Sequence, residues 1–273
     1  MTKPCLRFAS NRPMTTLDQN TKGASPAAQR ESLPRLPRND QTGRTIQNLI
    51  LQSLPEGEYN LIRPYLEPID LPHHSLLYEL GEKIRYAYFL NEGMASLVVV
   101  TKDGHSVEVG IIGREGMVGL PVLAGIRWAY FRAIMQISGQ GLKVPSAILE
   151  ELFPSLPHLR HALEKYAMMQ AFQMGQIAAC NRLHDLDQRL ARWLLMCRDR
   201  VDSDSIQLTH DFLAQMLGSG RPSISLAAAI LEREGLIENL RGRMKILNRR
   251  QLETAACECY GVIQNFNGGL GLK

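Results

Sequence analysis

The apolar positions of this chain change period several times, and each change marks a boundary. Residues 1–45 mix Pro, Ser, Asn, Arg and Thr with no sustained apolar period, which predicts a flexible tail. Two short helical patterns follow, "TIQNLILQSL" from Thr45 to Leu54 and another from Glu58 to Leu66, each bounded by proline. From Ser75 to Pro145 the spacing becomes that of strands. "YAYFL", "ASLVVV", "SVEVGII" and "FRAIMQI" are short β-type runs separated by "NEG", "KDG" and "GREG" turns. Asp103-Gly104 suits a tight hairpin because glycine tolerates positive φ. This part predicts an antiparallel sandwich or roll.

Helical spacing returns over about 156–181 and includes sixteen consecutive uncharged positions, "YAMMQAFQMGQIAACN", Tyr166 to Asn181. Such a helix has no solvated face, yet it is too short and too rich in glutamine (Gln170, Gln173, Gln176) to span a bilayer. Burial between the β-domain and a second copy of the chain is the simplest outcome. It gives a two-fold homodimer with an interface expected at Tyr166, Met169, Gln170, Gln173 and Ile177. A central helix within a monomer is the alternative.

Farther on, "THDFLAQML" opens with Thr209 as an N-cap, has Asp211 in the first turn and places Leu213, Met216 and Leu217 on one face. Gly218 fits the left-handed residue that ends a helix, and Gly220 keeps the connection compact. A second helix starts with Arg221 and Pro222, since a first turn tolerates the donor that proline lacks. Ile224, Ala228 and Leu231 continue it until Gly235 stops it. Ala214 and Ala227 or Ala228 offer small surfaces where the two helices can cross. The pattern is a helix-turn-helix. "LIENLRGRMKILN" then reads as a strand, a turn at Arg241-Gly242-Arg243 and a second strand, a wing with Arg241, Arg243 and Lys245 at its tip and edge.

Charge sharpens this picture only after it is divided. The net charge of +4 comes from residues 1–45, where eight Lys/Arg face three acids. Residues 46–155 carry 8 basic and 12 acidic groups, whereas residues 209–250 carry 7 basic and 4 acidic. Positive charge therefore gathers at the helix-turn-helix, where it can meet phosphate. Arg221, Ser223 and Ser225 project from the first turn of the second helix, beside free amides and the positive dipole end. An arginine there can hold guanine O6 and N7 with both prongs, and the serines can reach phosphate or simply cap the helix. His210, Ser219, Gly220 and Pro222 complete the expected DNA surface, and duplex DNA is the expected partner.

The order β-roll, long uncharged helix and "LTHDFLAQMLGSGRPSISLAAAILEREGLI" with a basic wing resembles the Crp/Fnr superfamily of bacterial transcription regulators. "NRLHDLDQRLARWLL" before the motif and "LETAACECYGVI" after it resemble one branch of that family, and the likeness runs from about residue 46 to 263. The resemblance implies an α+β chain: an N-terminal antiparallel β-roll of the cyclic-nucleotide-binding type over 46–155, a dimerisation helix over 156–184, a winged helix-turn-helix over 185–253 and a C-terminal helix and tail over 254–273. It implies a homodimer on a pseudo-palindromic site, one recognition helix in each of two successive major grooves, with RNA polymerase as a further expected partner. In this alignment Thr209 matches a phosphate-contacting cap and Arg221 the principal base-reading arginine. Pro222 falls where many members have a base-contacting glutamate, and Leu226 where another arginine often reads a base. The operator is therefore expected to differ from that of better-known members.

The sensor departs from the pattern. Cyclic-nucleotide-binding members resemble one another in a Gly-Glu pair for the ribose and an Arg-Ser/Thr-Ala run for the phosphate. Here Leu120 follows Gly119, and Trp128, Ala129, Tyr130 and Phe131 stand where the arginine and hydroxyl should lie. An apolar group cannot hydrogen-bond a ribose, so no cyclic nucleotide is expected, although Arg127 and Arg132 would rescue the site in a shifted register. An iron-sulfur cluster is not expected either, because Cys5 stands alone in the N-terminal region. No metal and no cofactor are expected. Cys180 and His184, four apart on a helix, could share a metal but have no third ligand nearby in sequence. Cys257 and Cys259 read as small buried residues on different faces of a helix. "GIIGREG" fits neither dinucleotide nor P-loop spacing, no G-x-S-x-G occurs, and no catalytic constellation is found.

Five scattered cysteines suit a reducing compartment, no run reaches the length of a membrane span, and the N-terminus has charges where a secretory signal needs an apolar core. The cytoplasm is the expected location. The function expected is sequence-specific regulation of transcription, with signal passing from roll to helix to DNA heads. The alternative from another class is an interaction module whose winged helix contacts protein.

Overall fold

The computed structural model describes residues 38–269. The chain runs α1 (Leu49–Ser53), α2 (Glu56–Ile62), β1 (Glu67–Leu71), β2 (Leu76–Tyr78), β3 (Tyr86–Leu90), β4 (Met94–Val100), β5 (Ser106–Ile112), β6 (Met117–Val118), β7 (Arg132–Ile137), β8 (Gly139–Pro145) and α3 (Ser146–Leu152). It continues with α4 (Pro157–Leu183), α5 (Leu186–Val201), β9 (Ser205–Gln207), α6 (His210–Met216), α7 (Arg221–Arg233), β10 (Ile237–Leu240), β11 (Arg243–Ile246), α8 (Arg249–Ala255) and α9 (Cys259–Gly269). Among the described residues no helix is long and apolar enough to cross a membrane.

The first eight strands form two four-stranded antiparallel sheets, in the orders β1-β8-β3-β6 and β2-β7-β4-β5. Alternate side chains such as Ala87 and Phe89 of β3, Leu142 and Val144 of β8, and Ala133 and Met135 of β7 meet in one apolar core. α1 and the first half of α4 close it with Ile50, Leu51, Leu159 and Leu163. Asn48 caps α1 and is itself buried: its Oδ1 accepts from Leu51 N at 3.1 Å and its Nδ2 donates to the carbonyls of Leu90 (3.1 Å) and Gly116 (2.8 Å).

Order begins earlier than the tail predicted over 1–45 allows. Residues 38–45 fold onto α1 and α2: the Arg38 guanidinium donates to the carbonyls of Leu51 and Leu54, and Tyr59 Oη donates to Asn39 O at 2.9 Å. Asp40 is buried and its Oδ1 accepts from the amides of Thr42 and Arg44. The polar composition that suggested a tail instead serves a turn whose backbone groups are satisfied by side chains. The expectation for 1–37 lies outside the described residues.

α4 is 27 residues long, about 40 Å at the α-helical rise. Its inward face carries Tyr166, Met169, Gln170, Gln173 and Ile177, all buried against this chain's own roll and DNA-binding unit. Gln170 Nε2 donates to Ile111 O (3.1 Å) and to Tyr166 Oη (2.6 Å), and Gln173 Nε2 donates to the same Ile111 carbonyl (3.3 Å). The five positions expected to pair with a second copy are therefore occupied within one chain. The reason is chemical: long amide side chains satisfy the carbonyl that β5 turns toward the helix. The outward face, Met168, Ala171, Phe172, Gly175, Ala178 and Ala179, is exposed and uncharged. Close packing against the roll demands glycine at 116, where an added Cβ would stand 2.0 Å from the Tyr166 ring and hydroxyl. Tyr166 is buried and held by Gln170, so it cannot yield. Gly116→Ala should lower stability by about 1–3 kcal/mol in a denaturant melt.

α5 to α8 and the sheet β10-β11-β9 make the second core, from Trp193, Leu194, Leu213, Ile224, Leu231, Ile237 and Met244. It is joined to the roll by polar bonds across the seam. Trp193 Nε1 donates to Glu108 Oε1 (2.8 Å), Arg200 Nε donates to Glu115 Oε1 (2.8 Å), and Arg200 Nη2 donates to Gln173 Oε1 (3.2 Å). Cys257 does not sit on a helix, as expected from the sequence, but in the short connection between α8 and α9. With Cys259 at the first residue of α9, the two thiols converge instead of diverging.

Candidate nucleic-acid interface

Thr209 begins the site as the sequence predicts: extended at φ −115°, it accepts the Phe212 amide on its Oγ1 at 3.2 Å and starts α6. The chain leaves α6 through Gly218 at φ +57°, a conformation that side chains other than glycine's resist. Ser219 N closes the turn on Ala214 O at 2.9 Å, and the Arg189 guanidinium of α5 braces it by donating to Leu217 O. Gly220 is the N-cap of α7 and has no capping side chain, so the first-turn amides of α7 keep free donors beside Arg221.

Arg221 projects outward. Its side chain is 66% exposed and its Nε lies 3.4 Å from Asp211 Oδ1, equally exposed, on the first turn of α6. A pair this open adds little to stability, but it holds the guanidinium over the start of α7. Pro222 and Ser223 are exposed beside it. Ser225 instead serves the motif itself, since its hydroxyl donates to Arg221 O at 3.1 Å, leaving a lone pair 2.9 Å from His210 Nδ1. His210 and Ser225 thus tie α6 to α7. Leu226 is exposed on the outer side of α7.

The wing is a two-residue hairpin. Leu240 pairs with Arg243, and Arg241 and Gly242 (φ +75°) make the turn. Along β11 the residues alternate, Arg243 and Lys245 out, Met244 and Ile246 in. The amide of Leu208 donates to Gly242 O at 3.0 Å, which fastens the wing turn one residue from the Thr209 cap. Arg241, Arg243 and Lys245 are exposed. The third strand, β9, escapes sequence reading because "SIQ" is three residues between polar turns.

In the roll, Gly119 (φ +105°) opens a short 3-10 turn over Leu120–Ala124, and Leu120 is half-buried. Arg127 Nε donates to both oxygens of Glu150 (3.2 and 3.0 Å), and Arg132 Nε to both oxygens of Glu79 (3.1 and 2.9 Å). The Arg132 hydrogen bond, with help from the Leu80 amide and the arginine's charge, holds the Glu79 carboxyl below its ordinary range against partial desolvation. Both arginines considered as phosphate ligands are therefore committed to carboxylates.

Sequence reasoning missed the seam between roll and DNA-binding unit. Glu108 of β5 is fully buried, and desolvation pushes its carboxyl up to about 7 despite hydrogen bonds from Ser96 (2.5 Å) and Trp193 and the nearby cations Arg192 and Arg200. The available signal was an acid in the middle of the apolar run "SVEVGII"; that Arg192 and Arg200 are the two of the four α5 arginines that are buried is visible only in the fold.

A β-roll, a long connecting helix and a winged helix-turn-helix with an exposed basic face define a DNA-binding regulator. Residues 188–255 match the Crp-like helix-turn-helix domain. The chain is 30% identical over 190 residues to the transcriptional regulator LdrP of Thermus thermophilus, covering 66% of this chain and 92% of that protein. Similar folds include a Crp/Fnr-family regulator from Eubacterium rectale (TM-score 0.60, 17% identity, 76% of this chain and 96% of that one). FixK2 from Bradyrhizobium japonicum is another (TM-score 0.61, 15% identity, 70% and 98%). The chain belongs to the Crp/Fnr family of transcriptional regulators.

Proposed function

We propose that this regulator works as a homodimer on a pseudo-palindromic DNA site, with α7 of each copy in a major groove and Arg221 reading a guanine. The observation that carries the reading is the exposed Arg221 at the uncapped start of α7, beside a wing fastened to the same motif. Dimerisation uses the outward stripe of α4, Met168, Phe172, Gly175 and Ala179, because Met168, and Phe172 on the side turned away from Phe266, otherwise stay half exposed to water. The two copies then set the half-site spacing at one helical turn of DNA. Arg241, Arg243 and Lys245 meet the sugar-phosphate backbone and fix register. The roll responds to a signal other than cyclic nucleotide: Leu120 offers no ribose acceptor, and Arg127 and Arg132 are neutralised by Glu150 and Glu79.

The test is selection of bound fragments by the purified chain, followed by titration of the selected duplex. Arg221→Ala should cost about 1–3 kcal/mol on the preferred site and relax choice at one base pair in each half. Arg243→Ala should weaken binding to all sequences alike and reduce the slope of affinity against salt by about one. An Arg221→Ala chain with undiminished discrimination overturns the assignment, and salt-independent or absent duplex binding by the parent chain overturns the function.

A further inference from the structure

Behind the DNA-binding face, where α4 ends and the chain turns into α5, four side chains meet that regulation of DNA does not use. Cys180 lies in the last turn of α4 and His184 is its C-cap, while Cys257 of the α8–α9 connection and Cys259, the first residue of α9, come 77 and 75 residues later in the pairs they form. Their ligand atoms all lie within 4.8 Å of one another. The Sγ atoms of Cys180 and Cys257 are 3.4 Å apart, and Cys259 Sγ is 3.5 Å from His184 Nδ1. We propose that these four residues are a Cys3His site for one zinc ion, which staples the C-terminal α9 to the end of α4.

The geometry argues for a single ion. Tetrahedral zinc, about 2.3 Å from sulfur and about 2.0–2.1 Å from nitrogen, separates its ligands by roughly 3.5–3.8 Å; two pairs here stand at 3.4 and 3.5 Å, and all four atoms lie within 4.8 Å, so small side-chain shifts complete the tetrahedron. A cluster of several irons sits in the middle of its cysteines and spreads them wider than one ion does. Four protein ligands fill the tetrahedron and leave no open position, so the site is structural and not catalytic. Three thiols and one imidazole are also the soft and borderline donors that select zinc over the hard cations.

The surroundings support the same set. His184 Nε2 lies 3.2 Å from Glu258 Oε1, so the proton sits on Nε2 and the Nδ1 lone pair is left facing the sulfurs, as a carboxylate-oriented histidine ligand requires. Gln176 Nε2 donates to Cys259 Sγ at 3.0 Å, a bond that strengthens when the sulfur is a thiolate. On binding, the three thiols release their protons to water, and zinc with three thiolates carries one net negative charge. Arg192 of α5 lies close enough to Cys180, and Arg189 to Cys180 and Cys257, to act on them electrostatically.

The consequence is mechanical. Apart from the staple, α9 is held on α4 by apolar contacts such as Phe172 against Phe266, ring centroids 5.4 Å apart. Zinc fixes α9, and through it α8, to the point where the long helix gives way to the DNA-binding unit.

The full chain, purified in reductant without added chelator, should carry about one zinc per chain by elemental analysis. Replacing zinc with cobalt(II) should give the intense visible bands of tetrahedral thiolate coordination. Cys259→Ser should lose stoichiometric metal, and Glu258→Gln, which spares every ligand, should weaken zinc binding about 10- to 100-fold. Cobalt titration of the unaltered chain needs no variant to fold. Absence of metal together with no cobalt bands, bands of octahedral type, or a Cys180–Cys257 disulfide recovered from zinc-supplemented, reduced preparations would each overturn the site. DNA binding of the parent chain reports separately on the proposed function.

Discussion

A chain carrying Gly175→Glu should sediment as a 30.6 kDa monomer at concentrations where the parent runs as a dimer. It should also lose about 10²–10⁴-fold in affinity for a two-half-site operator, because the second half-site no longer binds as a tethered event. Gly175 is the right position for the test. An added side chain there meets nothing within 4 Å in the single chain, and glutamate is a better helix former than glycine by roughly 0.5–1 kcal/mol. The isolated fold is thus not weakened, whereas the paired helices would have to bury a carboxylate with no cation on the facing stripe. Gln173→Ala, on the opposite face of α4, should leave the mass unchanged. The reverse pattern, a monomer from Gln173→Ala and a dimer from Gly175→Glu, returns the interface to the face first expected from sequence.

The second large effect is a fall in stability as pH rises. Glu108 has its carboxyl raised from the ordinary 4.5 to about 7 in the folded chain, so between these values the native state holds a proton that the unfolded state has lost. Stability then decreases with increasing pH, by about 3 kcal/mol in all once pH exceeds 7, and the loss is absent below 4.5. The groups facing this carboxylate are Ser96 of β4, bonded in turn to Gln136 of β7, and Trp193, Arg192, Cys197 and Arg200 of α5. The two arginines temper the effect without abolishing it. Glu108→Gln can still accept from Trp193 Nε1, so it should be more stable than the parent at pH 8 and show a flatter denaturant midpoint from pH 5 to 8. An unchanged slope in that variant assigns the titration to another group.

The helix-turn-helix was legible because its signals are local: a capping threonine, a glycine that must take positive φ, a proline in a first turn, and arginines at a tight hairpin. β3, β4, β5 and β7 were legible for the same reason. β1, β2, β6 and β8 were not, since "EPIDL" and "GQGLKVP" owe their pairing to partners some seventy residues away and contain the prolines and glycines that usually mark turns. Which face of α4 packs on its own chain was not legible, because an uncharged helix has no sequence mark that distinguishes that side from the side left exposed. The glutamines, taken as interfacial, are turned to a backbone carbonyl instead. The meeting of Cys180 and His184 with Cys257 and Cys259 depends on α9 folding back along α4, which no spacing reveals.

One carbonyl, that of Ile111, receives both Gln170 and Gln173 from successive turns of α4. An oxygen has two lone pairs, and here both are spent on the same rod. A roll of the helix about its axis, or a slide along it, loads both bonds, because the two amides reach for the same oxygen. The arrangement works as a pin through a hinge plate: two amides on one oxygen locate α4 against β5 in both rotation and height, which a single bond would not do.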